Sequence, residues 1–277
     1  MFCLYPSKFY QKIHHIEPIS QILKSYSKHF KWPNLSNLRM IDIGAGPGRI
    51  LLSIEPLLPR NYREIVAVDK NREMLDYFNS VPKDTRIFSK LLDIETTEIP
   101  DDLKGRFDFA FSSYCFTFVE NLSQAFKNCR DILKPNGELL SIWGQVNQIH
   151  DIYRFMSQNE RWAPYFGEFK TWKSPYDNEN VLNMIEEELL RSNFKILKTE
   201  LKKNLNFEGP NLEYFLEIFD SYDFLASRIP KYDLPKYKEE YLGIARSHYL
   251  QVNEDEEDRY PVKFRFPTII CAARKDL

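Results

Sequence analysis

The chain has 277 residues, of which 43% are hydrophobic and 28% are charged, a composition that can bury a core and argues against intrinsic disorder. Its formal net charge of −2 lacks the basic excess expected of a protein whose main partner is nucleic acid. The amino-terminal sequence has no signal-peptide pattern, no uncharged apolar run is long enough to span a membrane, and the four cysteines show no CxxC spacing. We therefore expect a reduced, cytoplasmic, soluble protein without a metal site.

Short apolar runs alternate with helical patterns in the first half of the chain. Five of these runs predict strands, at residues 39–43, 65–68, 86–92, 107–113 and 138–143. Apolar residues with the spacing of a helix follow the first and second runs, and Asn71 is typical of a helix N-cap. A third helix is predicted over 122–133, closed by a turn at Lys134-Pro135-Asn136-Gly137. This alternation predicts βαβ units and therefore a parallel sheet.

The second half of the chain is less regular. Helices are predicted over 180–192, 212–227 and 235–251, strands over 194–207 and 259–274, and a solvated acidic turn over 254–258. Ahead of the first strand, two helical pieces are divided at Glu17-Pro18. Segments 145–178 and 208–258 exceed what simple connections need, which favours a substrate pocket built above the strand ends. The high aromatic content, 15%, is compatible with such a pocket and equally with ordinary core packing.

The sharpest motif is a glycine loop at the end of the first strand, Asp42-Ile43-Gly44-Ala45-Gly46-Pro47-Gly48. Glycines at a strand–helix turn allow a tight turn and a close approach of the backbone to a ligand. Asp69 ends the second strand, where a carboxylate can accept hydrogen bonds from a ribose diol. Together they predict a nucleoside-containing ligand, against the simpler interpretation of a tight turn beside a surface acid.

The identity of the nucleoside follows from spacing and charge. The loop has the spacing GxGxG and not GxGxxG, since Arg49 stands where a third glycine would be, and no P-loop Gly-Lys-Ser/Thr sequence is present. The carboxylate of Asp42, two residues before the glycines, would repel a pyrophosphate and attract an ammonium group. S-adenosylmethionine carries an ammonium and a sulfonium and no phosphate, so the charge pattern favours it as the cofactor.

Two further strand ends complete the predicted site. Asp93 follows the third strand, where it can bond an adenine amino group with Ile94 against the ring, although a helix-capping role is the alternative. Ser112, Ser113 and Tyr114 end the fourth strand and are expected to face the point of methyl transfer.

The chain resembles the class I S-adenosylmethionine-dependent methyltransferases, and more closely the juvenile hormone acid O-methyltransferases of arthropods, which methylate the carboxylate of a farnesoid acid. The matching residues run over nearly the whole chain: Asp42-Ile43-Gly44, Asp69, Met74, Leu92-Asp93-Ile94-Glu95, Phe107-Asp108, Ala125-Phe126-Lys127-Asn128, Gly137-Glu138-Leu139-Leu140, Ile152-Tyr153-Arg154, Trp162 and Ser174-Pro175-Tyr176. The glycine loop is generic to methyltransferases, whereas the Tyr-Arg, Trp and Ser-Pro-Tyr matches are specific to the smaller family.

The resemblance implies one methyltransferase domain over 1–277, with a cofactor-binding core at 34–144 and helical cap insertions at 145–178 and 208–258. It implies an α/β fold with a doubly wound, Rossmann-like, seven-stranded and mostly parallel sheet whose last strand is antiparallel. The acceptor would be a small molecule with an apolar body, most simply a farnesoid or fatty acid. The implied cofactor-binding residues are Tyr5, Asp42, Gly44, Ala45, Gly46, Gly48, Asp69, Lys70, Met74, Asp93, Ile94, Ser112 and Ser113.

One departure from the family concerns the acceptor side, where Gln11, Thr117 and Phe118 are the implied residues. The family has a His-Trp pair where this chain has Thr117-Phe118, so a Trp N–H donor for a substrate carboxylate is missing and only the Thr117 hydroxyl can donate. Two alternatives therefore stay open. One is methylation of a phenol or an amine with His14 or His15 as base, and the other is a catalytically silent ligand-binding protein.

Overall fold

The computed structural model of the chain describes residues 17–145, 148–171, 173–223, 225–253 and 261–276. Its strands are β1 (Arg39–Ile43), β2 (Glu64–Asp69), β3 (Ile87–Leu91), β4 (Phe107–Ser113), β5 (Leu133–Gly144), β6 (Phe194–Gly209), β7 (Leu250–Val252) and β8 (Val262–Lys275). Its α-helices are α1 (Glu17–Tyr26), α2 (Arg49–Ile54), α3 (Arg72–Ser80), α4 (Leu122–Ile132), α5 (Gln148–Met156), α6 (Ala163–Phe166), α7 (Val181–Arg191), α8 (Leu212–Tyr222) and α9 (Leu234–Tyr249).

The strands form a single sheet in the order β3-β2-β1-β4-β5-β8-β6. The first five of these pair in parallel, and β8 runs antiparallel to β5. The predicted doubly wound, mostly parallel sheet with an antiparallel last strand is confirmed. The predicted count of seven strands is too low by one in the described part of the chain, because β7 adds a short strand that pairs only with β8. Sequence periodicity assigned residues 250–251 to a helix, but Leu250 pairs with Phe264 instead.

Strand β5 begins five residues earlier than predicted. The Lys-Pro-Asn-Gly segment 134–137 was expected to be a turn, yet it lies within the strand, and Leu133 already pairs with Phe107 of β4. The register between the two strands shifts between Phe107 and Phe109, so the turn-forming residues occupy a bulge. Asn136 takes a positive φ of 62° there, which asparagine tolerates better than most residues.

The buried polar residue Glu138 bonds the segment just before β1 to the sheet. Its carboxylate is 2% exposed, and it accepts the backbone N–H groups of Lys31 and Trp32 at 2.8 and 3.0 Å. The guanidinium of Arg274 on β8 donates to the same carboxylate at 2.7 Å. A buried carboxylate with this many donors is electrostatically satisfied, so it can join three separate segments.

Contacts divide the chain into two compact units. Among the described residues, the sheet unit comprises 17–144, 179–202 and 268–276, and the helical unit comprises 145, 148–171, 173–178, 203–223, 225–253 and 261–267. The predicted insertions 145–178 and 208–258 fall in the helical unit, whose buried core is largely aromatic and includes Tyr153, Trp162 and Tyr237. No helix in the described ranges has both the length and the apolar content needed to cross a bilayer.

Candidate active site

Four strand ends of the sheet unit form one polar edge. Because β3, β2, β1 and β4 are adjacent and parallel, their carboxyl ends meet on the same side of the sheet. This edge carries Asp93 after β3, Asp69 at the end of β2, Asp42 near the end of β1, and Ser113 at the end of β4. The sequence prediction that these residues lie together is therefore supported by the topology.

The glycine loop between β1 and α2 is held by the neighbouring strand. The backbone N–H groups of Gly44 and Ala45 both donate to the carbonyl oxygen of Val68, at 2.8 and 2.9 Å. A Cβ at Gly44 would lie 2.3 Å from the Cβ of Cys115, so only glycine fits this approach. At Gly46, where φ is +55°, a Cβ would meet nothing within 4 Å. The loop is therefore packed at its start and open at its middle, which leaves room for a ligand beside Gly46.

Asp69 connects the loop to the following helix. One carboxylate oxygen accepts the N–H of Gly46 at 2.8 Å, and the other accepts the N–H of Asn71 at 2.8 Å. Asn71 is the predicted N-cap of α3, and its side chain accepts the N–H of Glu73 at 2.9 Å. Burial raises the pKa of Asp69 despite these two bonds. Since a carboxylate has about four acceptor sites, Asp69 keeps capacity for two further donors such as a diol.

Asp42 is buried at the centre of the edge, with only 3% of its surface exposed. Burial, with a further contribution from the negative charge of Asp69, raises the pKa of Asp42 to about 8. Among the described residues, no lysine, arginine or histidine forms an ion pair with it. A buried carboxylate in this position is an unfavourable charge until a cation arrives, so the site is suited to a positively charged ligand.

Asp93 and Ile94 follow the edge strand β3. Asp93 is exposed, and its Oδ1 accepts the N–H of Glu95 at 3.0 Å within a turn. No helix begins there, so the helix-capping alternative is wrong. Its second carboxylate oxygen accepts no hydrogen bond from the described residues, so the turn bond and ligand binding are compatible. Ile94 is buried, and its carbonyl accepts from the Asn128 side chain at 2.6 Å.

The two serines that end β4 differ in availability. Ser112 is fully buried and its hydroxyl donates to the carbonyl of Ile43 at 2.8 Å, so its side chain joins β4 to β1. Ser113 is 8% exposed, and its hydroxyl has no partner among the described residues. A buried hydroxyl without a partner costs free energy, so Ser113 is the better candidate to contact a ligand. The remaining predicted cofactor residues are Lys70, which is exposed after β2, and Met74, which is buried on α3.

Thr117 and Phe118 lie on a short 3-10 helix, Phe116–Phe118, that follows β4. The hydroxyl oxygen of Thr117 accepts the N–H of Gly144, at the end of β5, with a distance of 3.1 Å. As the acceptor in that bond, the hydroxyl keeps its own proton for donation. The ring of Phe118 is 38% exposed. Thr117 is thus a fixed donor, and Phe118 offers an apolar surface beside it.

Two residues shape this side of the site in ways that the sequence did not indicate: Tyr114, which was expected to end the fourth strand and lies one residue beyond β4, and Glu95. Tyr114 takes a positive φ of 63°, which turns the chain sharply after β4 and brings Cys115 against Gly44. Glu95 accepts the N–H groups of Glu120 and Asn121 at 2.9 and 2.6 Å, which fixes the segment after the 3-10 helix. The Leu92-Asp93-Ile94-Glu95 match to the family included Glu95, but nothing in the sequence indicated its long-range partner.

Several predicted residues lie outside the described residues: Tyr5, Gln11, His14 and His15. Of the histidines in the described ranges, His29 packs against Tyr26 in the sheet unit and His248 lies on α9 of the helical unit. His150 is buried in the helical unit, where burial lowers its pKa to about 4 and so keeps it neutral. Within those ranges no group of three or more metal-ligating side chains is arranged to hold a metal ion.

The family-specific residues of the helical unit have structural partners within it. Tyr153 and Tyr237 both donate their hydroxyls to Oδ1 of the buried Asp223, at 3.0 and 3.1 Å. Burial raises the pKa of Asp223 to about 6. Trp162 donates its indole N–H to Glu240 at 2.6 Å, and the Ser174 hydroxyl donates to the carbonyl of Gln145 at 2.7 Å.

Comparisons with known proteins agree with this geometry. A family model described as a methyltransferase domain matches residues 41–141, which run from β1 into β5 and contain the whole polar edge. Juvenile hormone acid O-methyltransferase of Bombyx mori is 27% identical over 264 residues, covering 91% of this chain and 90% of that protein. The protein of the same name from Drosophila melanogaster is 26% identical over 271 residues, covering 92% of this chain and 86% of that protein.

A solved structure with a bound ligand shares the fold of this chain. Phosphoethanolamine N-methyltransferase 2 of Haemonchus contortus, in complex with S-adenosyl-L-methionine, superposes with a TM-score of 0.51 at 18% identity. The match covers 93% of this chain and 52% of that one, and at this identity it shows the fold alone.

Proposed function

We propose that this protein transfers a methyl group to the carboxylate of its acceptor. The premise is that the chain belongs to the class I S-adenosylmethionine-dependent methyltransferases and uses S-adenosylmethionine as its methyl donor. The acceptor in this proposal is a small molecule with a carboxylate and an apolar body, such as a farnesoid or fatty acid. The observation that carries it is the similarity, over about nine tenths of the chain, to two proteins named juvenile hormone acid O-methyltransferase.

The charges along the polar edge fit this methyl donor. In the proposal, Asp42 pairs with the ammonium group of the methionine part, beside the open backbone of Gly46. Asp69 accepts from the ribose hydroxyls through its remaining acceptor sites, and Asp93 accepts from the adenine amino group. The glycine loop is shaped by Gly44, Ala45 and Gly48. Four further residues line or support the same pocket: Lys70, Met74, Ile94 and Ser112. Tyr5 is assigned to this pocket by the resemblance.

The acceptor side of the proposal rests on the segment after β4. The O–H of Thr117 and the unpartnered O–H of Ser113 are available to donate to an acceptor carboxylate. A hydrogen bond to a charged group contributes about 1.5–3 kcal/mol, so one or two donors can orient the nucleophilic oxygen. Phe118 would contact the apolar body next to the carboxylate, and Gln11 is assigned to the acceptor by resemblance.

The chemistry demands little of the protein beyond positioning. When bound, S-adenosylmethionine supplies a methyl group that its sulfonium has already activated. A carboxylate is ionised near neutral pH and needs no general base, since its ordinary pKa is about 4.3. The chain's own residues therefore hold the acceptor in line and exclude water.

An acceptor screen tests the proposal. The full chain is incubated with methyl-labelled S-adenosylmethionine and matched sets of carboxylic acids, phenols and amines, and labelled product is measured. Carboxylic acids with long apolar tails should be methylated, with kcat/KM rising about fourfold per added methylene, since each buried methylene contributes about 0.8 kcal/mol. An Asp42→Ala variant provides the background rate.

Two other results of the screen would support the two alternative functions. If only phenols or only amines are labelled, the acceptor is not a carboxylic acid, and the transfer is assisted by a general base. Binding of S-adenosylmethionine without turnover on any acceptor would identify a silent ligand-binding protein.

A further inference from the structure

The carboxyl group of Asp42 has an unusual environment for a charged residue. It is buried on β1, where its neighbours across the parallel pairings are Ala67 on β2 and Phe111 on β4. Among the described residues no backbone N–H donates to it and no cationic side chain pairs with it. A carboxylate in such surroundings loses its hydration without compensation, and the neutral acid is the form that burial favours.

The titratable groups that face Asp42 reinforce this preference. Among the described residues, Asp69 on the adjacent strand is the charged neighbour that acts on Asp42, and its negative charge opposes ionisation of Asp42. The thiol of Cys115 packs against the glycine loop and is itself neutral, because burial raises its pKa. The positive charge of Lys70 lowers the pKa of Asp69, and the negative charge of Asp93 raises it. Both of these side chains are exposed. Burial and Asp69 together raise the pKa of Asp42 to about 8, so at neutral pH the free protein holds a proton there.

We propose that binding of S-adenosylmethionine expels one proton from Asp42, and that the affinity of the protein for its methyl donor is therefore set by pH. This inference rests on the proposed placement of the ligand's ammonium group beside Asp42. The O–H bond of the neutral acid breaks, the proton passes to the buffer, and the carboxylate that remains pairs with the ammonium. No other covalent bond changes.

The sign of the effect follows from linkage. A ligand that binds the ionised form of an acid lowers its pKa, so affinity rises with pH below the pKa of the free protein, as long as the ammonium group of the ligand stays charged. Up to a tenfold gain in affinity is expected between pH 6 and pH 7. The ligand's own amino group has an ordinary pKa of about 7.7–8.0 and is charged at pH 6.5, so it does not supply the proton. S-adenosylhomocysteine keeps the same ammonium, so the product should respond to pH in the same way.

Calorimetric titration of the full chain, without acceptor, measures the proton directly. At pH 6.5, binding is followed in two buffers of different ionisation enthalpy, with S-adenosylmethionine, S-adenosylhomocysteine and 5′-methylthioadenosine as ligands. The first two should each release about one proton, and 5′-methylthioadenosine, which lacks the amino-acid part, should release none. Equal heats in the two buffers for S-adenosylmethionine, or equal release by all three ligands, would overturn the inference.

Two matched variants locate the titrating group. Asp42→Asn, which mimics the neutral acid, should release no proton and should bind with an affinity that does not change between pH 6 and pH 7. Asp69→Asn should still release a proton, with its midpoint shifted to lower pH, because one cause of the raised pKa is gone. Proton release that persists in Asp42→Asn would contradict the proposal, and the wild-type ligand series decides it if that variant does not fold.

This measurement is independent of the acceptor. If binding releases no proton, the proposal of carboxyl methylation is not affected. If no carboxylic acid is methylated in the acceptor screen, the proposed proton release from Asp42 is not affected.

Discussion

Asp69 and Gly46 are joined by a hydrogen bond of 2.8 Å, from the glycine N–H to Oδ2 of the carboxylate. The bond connects the end of β2 to the open middle of the glycine loop, across the place proposed for the methyl donor. The second oxygen of Asp69 is bonded to the N–H of Asn71, so both oxygens are held before any ligand arrives. This arrangement is preorganised, because the ligand does not have to order the carboxylate.

Replacing Asp69 by Ala should weaken binding of S-adenosylmethionine by about 1.5–3 kcal/mol, the contribution of charge-assisted hydrogen bonds. Calorimetry of the two proteins at one pH gives the difference. Asp76→Ala is the matched control, since Asp76 is exposed on α3 and forms no part of the polar edge. Equal losses in both variants would remove Asp69 from the site, and tighter binding of NAD than of S-adenosylmethionine by the wild type would refute the assignment of the methyl donor.

The parts of the fold that were predictable are those set by local patterns. The strands β1 and β4 have the predicted limits, because each is a short, mostly apolar run that is buried on both faces. The N-cap at Asn71 was also predictable, since its chemistry involves only the next two residues. The parallel sheet and the polar edge then followed from the alternation of strands and helices, whereas the order of the strands was not predicted.

The parts that were not predictable depend on partners distant in sequence. Nothing near Ser112 indicates that its hydroxyl donates to Ile43, and nothing near Glu95 indicates that it fixes residues 120 and 121. The start of β5 was missed because a bulge places turn-forming residues inside a strand. Asp223 did not stand out in the sequence at all, because its burial arises from helices that are far apart along the chain.

Thr117 allows a structural and a functional contribution to be separated. Thr117→Val removes the acceptor of the Gly144 N–H and should lower the free energy of unfolding by about 1–3 kcal/mol, as expected for a buried donor left without a partner. Thr117→Ser keeps both the acceptor and the donor, so its stability and its kcat/KM for a carboxylate should stay near wild type. Thermal unfolding and acceptor kinetics of the pair check this. A fully active Thr117→Val variant would exclude the hydroxyl from acceptor binding.

Phe118→Trp should improve a carboxylate acceptor. The substitution places an indole N–H where the resembling family has one, and the exposed position of Phe118 leaves room for the larger ring. We expect KM to fall by up to about tenfold, which corresponds to 1.4 kcal/mol. Phe118→Leu, which is apolar without a donor, is the matched control. A large loss of activity in Phe118→Trp would indicate that the position serves a less polar acceptor group.

The pH dependence of the rate distinguishes a carboxylate acceptor from a phenol or an amine. At saturating S-adenosylmethionine, kcat/KM for a carboxylic acid should be nearly constant from about pH 6.5 to 9, since the nucleophile is ionised throughout. His150 does not disturb this window, because its pKa is lowered to about 4. His14→Ala and His15→Ala should each cost less than about tenfold in rate. A loss of a hundredfold or more in either variant, with a rate that rises through pH 7, would favour base-assisted transfer.

Asp223 should make the stability of the protein depend on pH in a direction unusual for a carboxylate. Its pKa is raised by burial to about 6 in the folded state, above the value of about 3.9 expected when unfolded. The folded state therefore binds the proton more tightly, and the resulting stabilisation, fully present below pH 4, is lost as pH rises to 6. The two-unit difference corresponds to about 3 kcal/mol.

Asp223→Asn isolates that contribution, because the amide oxygen can still accept from Tyr153 and Tyr237 but does not titrate in this range. Denaturant unfolding at pH 4 and pH 6.5 should show wild type losing up to about 3 kcal/mol relative to Asp223→Asn over that interval, since titrations common to both proteins cancel. Tyr237→Phe, which removes one donor to the carboxylate, should enlarge the loss by raising the pKa further. A difference between wild type and Asp223→Asn that stays constant with pH would show that the buried carboxyl group does not titrate near pH 6.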